Sequence, residues 1–350
     1  MEKEIDAVAT IDDVAKAAGV SRSTVSYALS GKRSISPETR DRIEAAIKSL
    51  KYTPNAGARA LRTAQTSVLG LLVKFHEDEF APAMLGYILP IADTARSFGY
   101  DILMMTEDDG AEAIARTAES GMVDGLILLD VTHDDPRLEA LRAARQPGVL
   151  VGLPGDARGL DVVELDFEAA ARTLVDHLHG LGHRDVVLVT PPRHVYERGG
   201  AYAWRFRDAA VERASALGLR LAVHYGQSQQ PEMDRNLHEV LDDNPSATGL
   251  IVHNDASVAA LPHVLHQRGV RVPDDLSVVS LYSQDFARWF SLPYSAVESS
   301  PHVLGTLAVD QLVRRIQSSE AAGPHGTRFI TADLIDRGST RPPAPAPPIS

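Results

Sequence analysis

The chain contains no cysteine. This absence excludes a disulfide framework, a thiolate zinc site, an iron–sulfur cluster and a cysteine nucleophile. Long apolar runs are absent too, since no stretch approaches the roughly 18 consecutive apolar residues of a membrane span. The amino terminus reads MEKEID and is acidic, whereas an export signal is basic and then apolar. We therefore expect a protein of a reducing, cytoplasmic environment that neither spans a membrane nor is exported.

Length and composition indicate a folded protein with more than one domain. The 350 residues exceed the roughly 250 that a single hydrophobic core usually supports. Apolar residues make up 44% of the chain and charged residues 23%. These fractions are ordinary for folded domains and exclude a mainly disordered, collagenous or coiled-coil protein.

The net charge of −12 is unevenly distributed. Residues 21–62 contain nine lysines or arginines and only three acidic residues, so this segment is basic while the rest of the chain is strongly acidic. A basic segment on an acidic chain is typical of a nucleic-acid binder, because it attracts phosphate locally. A solvated helical surface has the same composition, so the local pattern must decide between the two.

Two short helices are predicted around a glycine turn near the amino terminus. Thr10 and Asp13 form a capping pattern that predicts a helix from Ile11, and Gly19 predicts its end in a left-handed turn. Ser21 is positioned to cap a second helix. The inner face of that helix is predicted to carry Val25, Ala28 and Leu29, which leaves Arg22, Ser23, Ser26 and Tyr27 facing outward.

A third helix is predicted from Ser36 and Pro37, because proline is favoured at the first helical position. Its apolar stripe comprises Ile43, Ala46, Ile47 and Leu50. Three helices of this size close a small core, and the first two form a helix-turn-helix.

The ordered segments IDDVAKAAGVSRSTVSYALS (11–30), SPETR (36–40) and YTPN (52–55) resemble the lactose/galactose repressor family of bacterial transcription factors. The resemblance extends over residues from about 10 to 337. It implies a dimeric, cytoplasmic and nucleoid-associated DNA-binding regulator, most often a repressor. In such a regulator two helical domains read a near-palindromic operator in duplex DNA.

By this resemblance, the second helix enters the major groove. The base-reading positions are Arg22, Ser23 and Tyr27, and Tyr27 replaces the arginine more usual in the family. Arg22 is suited to a forked contact with guanine. Backbone contacts are expected from Ser21, Thr24, Ser26 and Asn55, although helix capping alone equally explains Ser21.

Residues 55–66 match the family's hinge helix, which orders on DNA and inserts a leucine between base steps of the minor groove. Leu61 is the matching residue here. An apolar wedge of this kind costs a few kcal/mol of unstacking and permits bent DNA with more contacts. An ordinary packing leucine is the alternative interpretation of Leu61.

Beyond the hinge, short aliphatic runs alternate with helical patterns. Such alternation predicts parallel β-sheets with covered faces, and about 270 residues of it favour two sheets that face each other across a cleft. The resemblance implies an α/β body like that of periplasmic sugar-binding proteins, with two discontinuous subdomains joined by three crossings. We expect strands at 68–73, 102–106, 125–130, 149–152, 186–190, 249–252 and 276–281, and crossings at 161–166, 293–299 and 326–331.

A cleft between α/β subdomains is where a small ligand binds, so an effector site is expected there. Asn254 and Asp255 match the family's Asn-Asp pair, whereas Tyr282 and Tyr202 stand where an aspartate and an arginine are usual. Arg198 substitutes for that arginine if its loop is longer, and is otherwise a loop charge. Phe75, with the nearby Phe80, occupies the region of first-subdomain contacts, with surface packing as the alternative.

Because two of three charged anchors are aromatic, we expect either a ligand less dependent on bidentate carboxylate contacts than a pentose or hexose, or no small ligand. No catalytic motif or metal-binding spacing is present, so we expect no enzyme activity, cofactor or metal. A solute-binding protein or an α/β enzyme with a fused helical domain is the alternative, but neither explains the amino-terminal segment.

The expected domain boundaries follow from these segments. Residues 1–54 form the helix-turn-helix domain, 55–66 the hinge, 67–337 the effector-binding and dimerisation domain, and 338–350 a proline-rich tail. The tail carries no leucine heptads, which favours a homodimer over a tetramer.

Overall fold

The structure is a computed structural model that describes residues 9–30, 35–52, 65–76, 80–106, 109–318 and 323–344. The chain divides into two compact units, Met1–Thr66 and Ser67–Ser350. We call them the head and the body and describe each by itself.

The head contains the three predicted helices. They are α1 (Ile11–Ala18), α2 (Arg22–Ser30) and α3 (Pro37–Ser49). The capping box of α1 is present, because the Thr10 hydroxyl accepts from the Asp13 N–H at 3.4 Å and the Asp13 carboxylate accepts from the Thr10 N–H at 2.8 Å. Gly19 ends the helix with a φ of 65°, as its position predicts.

The core of the head is small and fully enclosed. Val14 and Val25 have no exposed surface, and Ile43 of α3 is 1% exposed. The prediction that Leu29 belongs to this core is wrong, since Leu29 is 39% exposed. It lies in the last turn of α2, beyond the residues that pack around Val25, so helical periodicity continues past the end of the core.

The body contains two six-stranded sheets. The first sheet has the order β11-β5-β4-β3-β1-β2 and all its neighbouring strands are parallel. Its strands are β1 (Val68–Leu72), β2 (Asp101–Met105), β3 (Gly125–Leu128), β4 (Gly148–Val151), β5 (Asp161–Leu165) and β11 (Thr327–Ile330).

The second sheet has the order β12-β10-β9-β8-β6-β7 and is parallel except for the short antiparallel strand β12. Its strands are β6 (Asp185–Thr190), β7 (Arg220–Tyr225), β8 (Gly249–Val252), β9 (Ser277–Tyr282), β10 (Ser295–Glu298) and β12 (Leu334–Ile335). The predicted α/β body with two parallel-sheet subdomains is confirmed.

Helices connect most of the successive parallel strands, whereas residues 152–160 join the parallel neighbours β4 and β5 without a helix. The helices are α4 (Ala81–Ser97), α5 (Gly110–Ser120), α6 (Arg137–Ala143), α7 (Phe167–Gly180), α8 (Arg193–Glu197), α9 (Ala201–Ala216), α10 (Glu232–Asp243), α11 (Asp255–Arg268), α12 (Gln284–Phe290) and α13 (Pro301–Gln317). Helix α7 packs against α9 and the second sheet, whereas α13 packs against α4 and the first.

The chain passes between the two subdomains three times. It does so after β5, after β10 and after β11. The strand before each crossing lies within one of the three segments that we expected to form the crossings. The seven strands predicted from the sequence do not include these three strands, and they do not include β7 or β12 either.

Candidate DNA-binding surface and effector cleft

The outer face of α2 carries the three predicted base-reading residues. Arg22 and Ser23 are exposed, and Tyr27 is 40% exposed although its neighbour Val25 is buried. The Arg22 guanidinium lies 3.6 Å from the Asp12 carboxylate, and both side chains are about two-thirds exposed. An exposed pair of this kind is weak, so the guanidinium is available to a base or a phosphate.

The hydroxyl groups at the start of α2 are already engaged with one another. Ser21 Oγ accepts from the Thr24 N–H at 3.1 Å, and it lies 2.7 Å from the Ser23 hydroxyl and 2.8 Å from the Thr24 hydroxyl. Ser21 is therefore a helix cap in this structure. Asn55 and Leu61 lie outside the described residues.

The exposed surface of α3 carries charges of both signs. Arg40, Arg42 and Lys48 are exposed cations of this helix, and Glu38, Asp41 and Glu44 are exposed acids that balance them. Phosphate contacts from the head therefore depend on individual cations such as Arg22 and not on a net positive charge of α3.

The body contains a cavity of about 270 Å³ between its two sheets. Residues that follow several strands of the two sheets line it, including Phe75 after β1, Asp130 after β3 and His253 after β8. Ligands of open parallel sheets bind at these carboxyl ends of strands. The volume is near the lower end of the range for small-molecule sites, so it suits a small ligand.

Five of the seven residues expected at the effector site lie in the cavity wall. They are Phe75, Phe80, Tyr202, Asn254 and Asp255. The other two, Arg198 and Tyr282, are not part of its lining.

Tyr282 is placed in the core of the second subdomain. It is 1% exposed, its hydroxyl donates to the backbone carbonyl of Tyr294, and the Arg337 guanidinium lies over its ring. Successive side chains of a strand point to opposite faces of the sheet. At Tyr282 that face is the core and not the cleft. Arg198 is the carboxyl-terminal cap of α8 and is partly buried outside the cavity.

Asn254 acts mainly as a cap of α11. Its Oδ1 accepts from the N–H groups of Ala256 and Ser257 at 3.0 and 3.2 Å, and its Nδ2 donates to the Gln227 carbonyl at 3.3 Å. Asp255, the next residue, is partly exposed and faces the cavity. Burial raises the pKa of its carboxyl to about 7, and no hydrogen bond or neighbouring charge opposes that rise.

Glu164 is a cavity residue that the sequence reasoning missed. It lies in β5, one of the strands missing from the predictions, and it is 2% exposed. Burial raises its pKa to about 7, although the nearby Arg205 guanidinium lowers it. A carboxylate inside the aliphatic run DVVEL is the signal that could have identified it.

Aromatic rings surround His253 at the cavity wall. The His253 ring lies 3.9 Å from that of Phe206 and 5.9 Å from those of Phe167 and Tyr202. Burial lowers the pKa of His253 to about 3, so its imidazole is neutral. Sequence reasoning missed this histidine, although it directly precedes the Asn-Asp pair.

An aromatic contact closes the cleft on one side. Phe80 precedes α4 of the first subdomain, and its ring lies 6.1 Å from Phe286 and 5.7 Å from Phe290 of α12. Such edge-on and tilted ring pairs stabilise the contact beyond their buried area. The two subdomains therefore touch beside the cavity.

Within the described ranges, no group of three potential ligand residues is arranged to hold a metal ion. Among those same residues, none of the helices combines the length and the hydrophobicity needed to cross a bilayer.

Comparisons with known proteins agree with both units. Residues 10–55 match the family described as bacterial regulatory proteins, lacI family, and residues 175–340 match the periplasmic binding protein-like domain. The chain is therefore similar to lacI-family regulatory proteins in its head and to periplasmic binding proteins in its body. It is thus a DNA-binding transcriptional regulator with a helix-turn-helix domain and a periplasmic-binding-protein-like body.

Curated lacI-family relatives align with nearly the whole chain. The transcriptional regulator CelR of Thermobifida fusca is 29% identical over 316 residues, which cover 88% of this chain and 92% of CelR. The transcriptional repressor PurR of Edwardsiella ictaluri is 29% identical over 342 residues, 95% of this chain and 97% of PurR.

Solved structures of the family share this fold. The lac repressor dimer bound to operator and the anti-inducer ONPF superposes with a TM-score of 0.79 at 22% identity, over 96% of this chain and 100% of that one. A CelR–cellobiose complex superposes with a TM-score of 0.64 at 26% identity, over 95% and 99% of the two chains.

Proposed function

We propose that this regulator is a repressor that binds a near-palindromic operator as a homodimer. The observation that carries the proposal is the outward face of α2, where Arg22, Ser23 and Tyr27 are accessible while Val25 anchors the helix in the head core. A helix held in this way inserts its exposed side chains into the major groove.

The residues of the head have distinct roles in this proposal. Arg22 reads guanine with its forked guanidinium, Tyr27 contacts a neighbouring base, and Ser23 adds a contact with little discrimination. Ser21, Thr24, Ser26 and Asn55 contact phosphates and set the register on the duplex. Leu61 is the wedge that enters the minor groove.

Dimerisation is supported by exposed apolar side chains on the first subdomain. Leu85 and Leu89 are 45% and 50% exposed and lie one turn apart on α4, and Met104 of the edge strand β2 is 50% exposed. Exposed apolar residues of this size favour an interface. Two heads held by one dimer read two half-sites about one turn of DNA apart.

The cavity of the body is the proposed effector site. A ligand that prefers one arrangement of the two subdomains changes operator affinity by a reciprocal coupling free energy. Phe75, Phe80, Tyr202, Asn254 and Asp255 contribute to the site from opposite sides of the cleft. We propose that the chain is a binding protein without catalytic activity or cofactor, and that it is located in the cytoplasm with the nucleoid.

Gel retardation of genomic fragments by the full-length protein tests the proposal. At moderate salt and with excess competitor DNA, which suppresses non-specific phosphate binding, we expect retention of a small set of fragments. Arg22→Ala should weaken this binding by about 1–3 kcal/mol. The matched control Arg235→Ala removes an exposed arginine of α10, outside the proposed DNA and dimer contacts, and should leave binding unchanged. Equal retention of all fragments contradicts the proposal.

A further inference from the structure

The cavity wall is acidic and contains no lysine or arginine among the residues that the structure describes. Three carboxylic acids line it: Asp130, Glu164 and Asp255. His253 does not offset them, because its buried imidazole is neutral. Asp130 is held by His76, whose Nε2 lies 3.3 Å from Oδ2 of the carboxylate.

Glu164 has one carboxylate oxygen without a partner. Its Oε1 accepts from Arg205 Nη2 at 2.7 Å, whereas Oε2 is buried and has no hydrogen-bond partner among the described residues. A buried acceptor left without a hydrogen bond destabilises the folded protein. A donor that enters the cavity can remove that destabilisation.

Asp255 is the second acceptor available in the wall. The side chain of its neighbour Asn254 caps α11, whereas the carboxyl of Asp255 faces the cavity. Burial raises the pKa of this carboxyl, and no hydrogen bond or cation from the described part of the chain offsets that effect.

Glu164 and Asp255 line the same cavity, although they come from different subdomains. The carboxylates of both, together with that of Glu298, act on the hydroxyl of Tyr87 and help burial to raise its pKa. Glu298 is satisfied by the N–H groups of Gln284 and Ser300. Glu164 and Asp255 therefore remain as acceptors on facing walls.

The rest of the wall is apolar and rich in rings. Phe167 and Tyr202 lie beside His253, which is two residues before Asp255 in the chain, and Phe80 and Phe286 meet across the cleft. Aromatic faces attract organic cations as well as apolar rings.

We propose that the cleft binds a small organic cation, an ammonium group attached to an aromatic or similarly apolar ring, whose N–H groups donate to Asp255 and to Oε2 of Glu164. The ring lies against the aromatic wall. This inference rests on the cleft being the effector site, and it narrows the effector to a cationic class in place of a neutral sugar or an anion.

Three probes of equal ring size and different charge test the inference by calorimetry on the full-length protein. They are 2-phenylethylamine, 2-phenylethanol and phenylacetate, measured at about pH 7.5, where the amine is protonated and phenylacetate ionised. The amine should bind about tenfold or more tightly than the alcohol, because charge-assisted hydrogen bonds are the stronger kind. Phenylacetate should bind most weakly.

Two variants test which carboxylates cause the preference for the amine over the alcohol. Glu164→Gln and Asp255→Asn should each reduce the ratio of amine to alcohol affinity to within about threefold while the alcohol still binds. Glu168→Gln removes a half-exposed carboxylate of α7 outside the cavity wall and should keep the preference. If loss of the Arg205 partner prevents Glu164→Gln from folding, Asp255→Asn carries the test alone.

The inference is overturned if the amine binds no more tightly than the alcohol, if none of the probes binds, or if Asp255→Asn keeps the full preference. Gel retardation with the same preparation separates this failure from a failure of the proposed function. Selective retention of DNA without a preference for the amine overturns only the ligand class.

Discussion

Arg205 Nη2 donates to Glu164 Oε1 at 2.7 Å and thereby joins the two subdomains. Arg205 lies on α9 of the second subdomain, and its Nη1 also donates to the carbonyl of Leu153 at 3.2 Å. Glu164 lies in β5 of the first sheet and lines the cavity. One carboxylate therefore borders the proposed effector and holds the subdomains together, which provides a direct route for ligand binding to alter their arrangement.

Replacement of this arginine should destabilise the body in a pH-dependent way. Arg205→Met leaves Glu164 buried without its cation, at a cost of about 3 kcal/mol when the carboxylate is charged. Its folded-state pKa then rises above the present value of about 7. A buried acid with a raised pKa destabilises the folded state once it ionises. The difference in the free energy of unfolding between the variant and the wild type should therefore widen above about pH 7. Thermal unfolding of both proteins at about pH 6 and pH 8 measures this difference. An equal difference at the two pH values would contradict the role of Arg205 as the partner of Glu164.

The second cavity acid, Asp255, predicts a pH-dependent change in stability of the opposite sign for its amide variant. The folded pKa of Asp255 is about 7, above the unfolded value, so its contribution to stability is complete below the unfolded pKa and is lost as pH rises to about 7. The amide that Asp255→Asn introduces does not titrate, so the variant lacks this pH dependence.

The melting temperature of Asp255→Asn relative to wild type should therefore increase between about pH 5 and pH 8, by an amount equivalent to on the order of 2 kcal/mol. Glu164 and His253 titrate in both proteins and cancel in the comparison. A difference that does not change with pH would show that Asp255 is well solvated.

Leu61 offers a test of the proposed minor-groove wedge. Leu61→Ala should weaken operator binding, because the bent DNA loses the side chain that holds its base steps apart, while the unfolding transition stays unchanged. Retardation of a selected fragment and circular dichroism measure the two quantities. Unchanged operator affinity would remove the wedge role and leave Leu61 as a packing residue.

The exposed apolar pair on α4 predicts the position of the dimer contact. Leu89→Asp places a charge where the proposed interface buries an apolar side chain, so sedimentation should show a monomer. Since Leu89 is 50% exposed, the fold of the monomer should be retained. Val211→Asp on α9 is a matched control of similar exposure and should remain dimeric. A dimeric Leu89→Asp protein would place the interface elsewhere.

The head could be predicted closely because its signals are local. The capping box of Thr10 and Asp13, the turn at Gly19 and the cap at Ser36 all involve residues at most a few positions apart. Leu29 shows the limit of such reasoning. Periodicity identifies the face of a helix, but the distance over which another helix covers that face depends on packing.

The body was predictable as a class but not in its details. Seven aliphatic runs identified seven strands, since buried parallel strands are nearly continuous in apolar residues. The missed strands carry polar residues, as in Asp161–Leu165 with its Glu164, or lie partly exposed at a sheet edge, as in Arg220–Tyr225. Hydrophobicity alone does not separate such segments from loops.

The sequence was enough to predict the capped helices of the head and the parallel α/β body, because caps, turns and hydrophobic periods act between near neighbours, and the motifs at 11–30, 36–40 and 52–55 carried the resemblance to the regulatory family. The chemistry of the cleft depends on residues such as Glu164 and Asp255, which are far apart in the chain and line one cavity only when the two sheets fold against each other. Burial then changes their proton affinity, and that burial is a property of the assembled body.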